Sequence, residues 1–132
     1  VRWVTPHFLV ARSVRDTYGD PTRVTDSQVE LYEELLLREG NREATRQRFS
    51  EAVEDGAEAR LPTLSRPTLI LWGSKDKWIL PKYGERFQSL IPGSKLVVLE
   101  GLGHTPMQEN PQATLALVVP FLAAEPEAAL RH

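Results

Sequence analysis

The chain has 132 residues, 41% hydrophobic and 26% charged, a balance that fits one folded domain with a real core and excludes a disordered tail. Its 16 basic and 18 acidic residues interleave to a net charge of −2, so no one-signed field exists to hold nucleic acid or an anionic bilayer. No apolar run nears the roughly 20 residues of a membrane-spanning helix, and the absence of cysteine excludes disulfide and thiol chemistry and fits a cytoplasmic setting.

Val1-Arg-Trp-Val-Thr-Pro6 has neither an initiator Met nor a secretory signal pattern, and reads as a chain entered in its middle. Thr5 and Pro6 are an N-cap and first-turn proline for a helix that runs to Gly19 with Phe8, Leu9, Ala11 and Val14 on its apolar side. Asp20-Pro21 turns the chain. Thr25 with Gln28 is a capping box, and Val24 against Val29 a hydrophobic staple, for a second helix carrying Val29, Tyr32, Leu35 and Leu36. Gly40 stops it in the left-handed conformation. Asn41 caps a third helix with Ala44, Phe49, Ala52 and Val53 inward, closed by Gly56. Its arginines 38, 42, 46 and 48 alternate with glutamates and form a solvated, ion-paired face rather than a basic patch.

From Leu61-Pro62 the composition changes. Thr68-Leu-Ile-Leu-Trp72 is an unbroken apolar run, as expected of a strand buried on both faces of a sheet. Tyr83, Phe87, Leu90 and Ile91 mark a crossover helix ended by Pro92-Gly93, and Lys95 to Leu99 is the next strand. Asn110 caps and Pro111 opens a last helix with Leu115, Val118, Val119 and Leu122 inward, which Pro120 should kink or end. The tail from Glu125 should fray. The second half is therefore a βαβα unit of a parallel sheet.

Both strands run into a turn that ends on a chemically active side chain, Asp76 after the first and His104 after the second. In parallel sheets, reactive groups gather beyond the carboxyl ends of the strands, so the two belong at one rim. A hydroxyl nucleophile needs an imidazole to take its proton, and the imidazole needs a carboxylate to fix its tautomer. Gly73, Gly101 and Gly103 let the two turns adopt sharp geometry. Taken alone, Asp76 also reads as a turn former bonding its own backbone.

The strings Pro67-Thr-Leu-Ile-Leu-Trp-Gly-Ser-Lys-Asp76 and Leu96-Val-Val-Leu-Glu-Gly-Leu-Gly-His104-Thr-Pro-Met-Gln-Glu-Asn-Pro111 resemble the penultimate and final core strands of the α/β-hydrolase fold, in its cap-containing branch. The resemblance implies an α/β fold made of a helical cap segment, residues 1–60, followed by a carboxyl-terminal core portion, residues 61–132. It implies Asp76 as triad acid and His104 as base; Trp78, Ile79 and Met107, next to these in sequence, either line a substrate pocket or pack into the core. Trp3, His7 and Phe8 either face the site from the cap or, the preferred reading, form an apolar cap–core contact; Ser74 is expected as a turn residue, and Glu109 as a helix-dipole partner in preference to a residue that orients the histidine loop. No histidine spacing suits a metal, and no cofactor is implied.

Ser13, Ser27, Ser50, Ser65, Ser74, Ser89 and Ser94 all lack the flanking glycines of a nucleophile elbow. The resemblance therefore places the nucleophile upstream of this sequence, and leaves open whether it is Ser, Cys or Asp. It implies a hydrolase of a small organic ester, or next a carbon–carbon bond, with this segment inactive alone. A missing core segment or a symmetry mate should cover the outer edge of the first strand. The alternative is a non-catalytic module that binds a ligand or partner on the same scaffold.

Overall fold

The helical punctuation of the first half becomes α1 (His7–Asp16), α2 (Asp26–Leu37), α3 (Asn41–Ser50) and the short α4 (Ala57–Arg60). The second half is β1 (Leu69–Gly73), α5 (Lys82–Leu90), β2 (Lys95–Leu99), α6 (Pro106–Glu109) and α7 (Pro111–Ala129). The computed structural model describes residues 6–50 and 56–129. The expectations for Trp3, Thr5, Ala52 and Val53, and for the Phe49 side chain, fall outside the described residues.

Local chemistry explains the boundaries. The Thr25 hydroxyl accepts from Gln28 N at 3.3 Å and the Gln28 side chain accepts from Thr25 N at 2.8 Å, the reciprocal capping box. Asp20 accepts from Thr22 N at 3.0 Å and fixes a 3₁₀ turn at Pro21–Arg23. Gly40 and Gly101 take the left-handed conformation, with φ of 81° and 79°. Asn110 caps α7 through Ala113 N at 3.0 Å.

A small core lies between α1 and α2: Val10, Ala11, Val14, Tyr18, Val24 and Val29, with Tyr32 and Leu36 packed against it. Two expected members of the α1 face are elsewhere, because Phe8 is 67% exposed and Leu9 half exposed at the rim of a cavity. Of the expected inward face of α3, Ala44 is exposed, as are all of residues 41–48. That helix is polar along its length and is braced by Arg46–Glu43, while Arg38 pairs with Glu34 of α2. Asn41 does not cap it; its amide donates to Leu35 O at 2.6 Å and closes off α2.

Strands β1 and β2 pair in parallel, Leu69 opposite Lys95 through Gly73 opposite Leu99. Among the described residues β1 has no second neighbour, so its outer edge is open. The central residues of β1 are half-buried rather than enclosed on both faces, because α5 and α7 do not cover a two-stranded sheet fully. Helix α5 rests on Trp72 through Phe87, the ring centroids 6.2 Å apart. Helix α7 does not end at Pro120. It continues to Ala129, with Leu115, Val119 and Leu122 exposed.

Beyond the strand ends the two turns stay locked together. Ser74 N donates to Leu99 O at 3.0 Å, Lys75 N to Leu102 O at 2.8 Å, and Gly101 N to the Ser74 hydroxyl at 2.8 Å. A Cβ on Gly73 would overlap the carbonyl oxygens of Gly103 and Leu102, so glycine there permits a close approach of two backbones. Gly73→Ala is expected to cost about 2–3 kcal/mol through overpacking, read as a lowered urea midpoint with an unchanged denaturant slope.

Candidate active site

The turn after β1 delivers Asp76, which is 6% exposed, and the turn after β2 delivers His104. The imidazole Nδ1 lies 2.9 Å from Asp76 Oδ2. The other oxygen, Oδ1, accepts from Trp78 N at 2.9 Å and Ile79 N at 3.0 Å. Asp76 therefore meets both readings of it at once. One oxygen closes its own turn and the other meets the histidine. With Nδ1 donating to the carboxylate, Nε2 is the nitrogen left to exchange a proton.

The ring of Trp78 stacks on His104, centroids 5.8 Å apart and planes 24° from parallel. Beside this pair opens a cavity of about 420 Å³, lined by Leu9, Val10, Val14, Leu36, Trp78 and His104 with Ser13, Thr17, Tyr32 and Thr105. That volume suits a small organic molecule. Among the described residues its wall carries no lysine, arginine or carboxylate. Of the three expected pocket residues only Trp78 lines it. Ile79 contributes through its backbone, since its carbonyl accepts from Trp72 Nε1 at 2.9 Å, and Met107 is exposed on α6. His7 and Phe8 do not line it either, and His7 instead pairs with Glu33 across α1 and α2 at 2.7 Å.

Two residues assigned minor parts by sequence do more. The Ser74 hydroxyl bridges the acid turn to the histidine loop. Glu109, expected as a helix-dipole partner, is 3% exposed and accepts from Gly103 N at 2.6 Å and Gly19 N at 2.8 Å. Its proximity to His104 in sequence was visible, but Gly19 lies 90 positions away and no local pattern points to it. Tyr18, buried next to that contact, accepts from the Gln28 amide at 2.9 Å, and burial pushes its phenol above the ordinary range.

Comparisons with known proteins bear on the family and the fold. Residues 2–117 match the family described as the alpha/beta hydrolase family. The chain belongs to that family. It is 32% identical over 72 residues to Lipase 1 of Psychrobacter immobilis, covering 52% of this chain and 23% of the lipase. It is 31% identical over 87 residues to the pimeloyl-[acyl-carrier protein] methyl ester esterase of Neisseria meningitidis, covering 66% of this chain and 34% of the esterase. The structure of a meta-cleavage product hydrolase from Pseudomonas fluorescens superposes with a TM-score of 0.78 at 24% identity, over 92% of this chain and 47% of that one. At that identity the likeness concerns the fold. The chain thus spans less than half the length of each of these three proteins. Among the described residues no helix is long and apolar enough to cross a membrane, and no cluster of acidic or histidine side chains suits a metal.

One polar atom at this site is unsatisfied: the Thr105 hydroxyl oxygen is buried without a hydrogen-bond partner. Thr105→Val keeps the shape and removes the orphaned group, and is expected to stabilise the chain by about 1 kcal/mol in chemical denaturation.

Proposed function

We propose that this segment supplies the acid, Asp76, and the base, His104, of a nucleophile–base–acid triad in a hydrolase of uncharged esters with an apolar acyl or alcohol group. The nucleophile is held by sequence that precedes this segment in the intact protein. The observation that carries the proposal is the divided carboxylate of Asp76, which leaves one oxygen 2.9 Å from the imidazole. In chain order the nucleophile precedes acid and base in this family. None of the serines here opens a helix directly after a strand, and Ser74, which follows β1, is engaged with Gly101 N.

In the reaction His104 Nε2 takes the hydroxyl proton as the nucleophile's oxygen bonds to the ester carbonyl carbon, and then delivers it to the leaving alcohol. Water repeats the cycle and releases the acid. Asp76 holds the proton-bearing Nδ1 in place and stabilises the imidazolium between the two steps. No cofactor takes part. The cavity wall, which among the described residues holds no lysine, arginine or carboxylate, is in keeping with an uncharged ester and puts carbon–carbon substrates bearing a carboxylate second. In this reading residues 1–60 are cap, residues 61–132 are the end of the core, and the open edge of β1 receives the preceding core strands or a symmetry mate.

The purified segment is expected to show no turnover of p-nitrophenyl butyrate above buffer, and hydrolysis that His104→Ala abolishes would overturn this. In the intact protein a fluorophosphonate probe should label a single serine. There Asp76→Asn and His104→Ala should each lower kcat on the order of 10³- to 10⁴-fold with the fold unchanged by circular dichroism. Undiminished rates in either variant would remove that residue from the triad.

A further inference from the structure

We propose that Glu109 is the positioning residue for His104, acting through a closed ring of hydrogen bonds that holds the histidine loop against the end of α1. The inference rests on the Asp76–His104 reading above and adds a third carboxyl function to it.

The ring can be followed atom by atom. Glu109 Oε1 accepts from Gly103 N at 2.6 Å, the residue immediately before His104. His104 N donates to Thr17 O at 2.7 Å. Thr17 leads through Tyr18 to Gly19, whose N donates to the second oxygen of Glu109, Oε2, at 2.8 Å. Glu109 is the one side chain in the circuit, and its two oxygens face two chain segments that are remote in sequence. A Cβ on Gly103 would lie 2.5 Å from Gly19 N and from Thr17 O, so the two backbones touch directly and glycine alone allows it.

A buried carboxylate is retained at a cost unless its charge is met. Glu109 makes no ion pair among the described residues, so the two backbone N–H groups are what meet it, as charge-assisted hydrogen bonds. Service to the last helix does not explain the burial, because Asn110 already caps α7. The loop from Gly101 to Gly103 holds two glycines, the first of them left-handed, and by itself has many conformations to lose. Glu109 supplies the stiffness that keeps the imidazole in register with Asp76. It touches neither the ring of His104 nor the cavity, so it works through the backbone. The same ring makes α1, a wall of the cavity, move as one body with the base.

Glu109→Gln is the informative replacement, since it keeps shape but turns an amide group toward one of the two N–H donors, so that one bond is lost. The measurement is the downfield proton resonance of His104 Nδ1 in the full chain, with its exchange rate against water. In the parent the resonance should be present, and Asp76→Asn should remove it. In Glu109→Gln it should be lost, or exchange about tenfold faster or more, while the amide resonances of β1 and β2 stay where they were. Persistence at the parental rate in Glu109→Gln overturns the positioning role and leaves the Asp76–His104 reading standing. A resonance absent from the parent, or indifferent to Asp76→Asn, overturns that underlying reading instead. Should Glu109→Gln fail to fold, Glu109→Asp, which keeps the charge but reaches only one donor, takes its place with the same expected loss. Unfolding of both makes Glu109 a support of the whole fold and overturns a role specific to His104.

Discussion

Acid and base meet because one carboxylate is shared between a turn and an imidazole. Asp76 closes its own turn through Oδ1, with Trp78 N and Ile79 N as donors, and this fixes the direction in which Oδ2 points. Turn formation and the meeting with His104 are therefore one arrangement, not two competing uses of an aspartate. The same few residues brace it from outside: Ile79 O accepts the indole N–H of Trp72 on β1, and the Trp78 ring stacks on the imidazole. A free aspartate in solvent would lose side-chain entropy on meeting a histidine. Here the turn has already removed that freedom.

The second constraint is backbone against backbone. Parallel pairing brings Gly73 opposite Leu99, and the hydrogen bonds of Ser74, Lys75 and Gly101 extend that ladder into the two loops. On the other side of the histidine loop the Thr17–Gly19 turn lies in direct contact with Gly103. The contact joins segments some 90 positions apart, and because closure entropy rises only with the logarithm of length, that separation costs little more than a far shorter one. The base is thus gripped from the acid turn on one side and from α1 on the other. The helices of the first half are tied into the site and not merely laid over it.

What could be read from the residues in order follows the range of the interactions involved. The capping box at Thr25, the left-handed conformation of Gly40, strand β2 and the Asn110 cap are decided by nearby residues, and each was legible, although α2 itself already ends at Leu37 with Arg38 extended. So was the pairing of Asp76 with His104, because a βαβ unit converts two strand ends into neighbours. What the residue order did not show at Glu109 was its partner Gly19, which is set by tertiary contact alone. Pro120 does not end α7, which continues to Ala129. In helix α3 the one expected inward residue that is described, Ala44, is exposed, in keeping with the charged residues around it and the Arg46–Glu43 pair.

Exposed apolar residues occur in both halves, Phe8 and Leu31 among them, but the α/β unit carries a set of its own: Val98 on β2, Tyr83 and Phe87 on α5, and Leu115, Val119 and Leu122 on α7. Leu69 to Trp72 has the composition of a strand enclosed on both faces but is only half-buried. The polar groups at the carboxyl ends of the same strands behave differently: the Asp76 oxygens, the Ser74 hydroxyl and both oxygens of Glu109 all find partners inside this segment. Hydrophobic surface is tolerant, since it can be covered by any apolar neighbour and is paid in proportion to area. Hydrogen-bond geometry is not, because a displacement of an ångström ends a bond. It is consistent with this difference that the exacting half of the site is built from contacts within one segment, while the surfaces left over are of the kind that a neighbouring layer can cover without disturbing the acid and base.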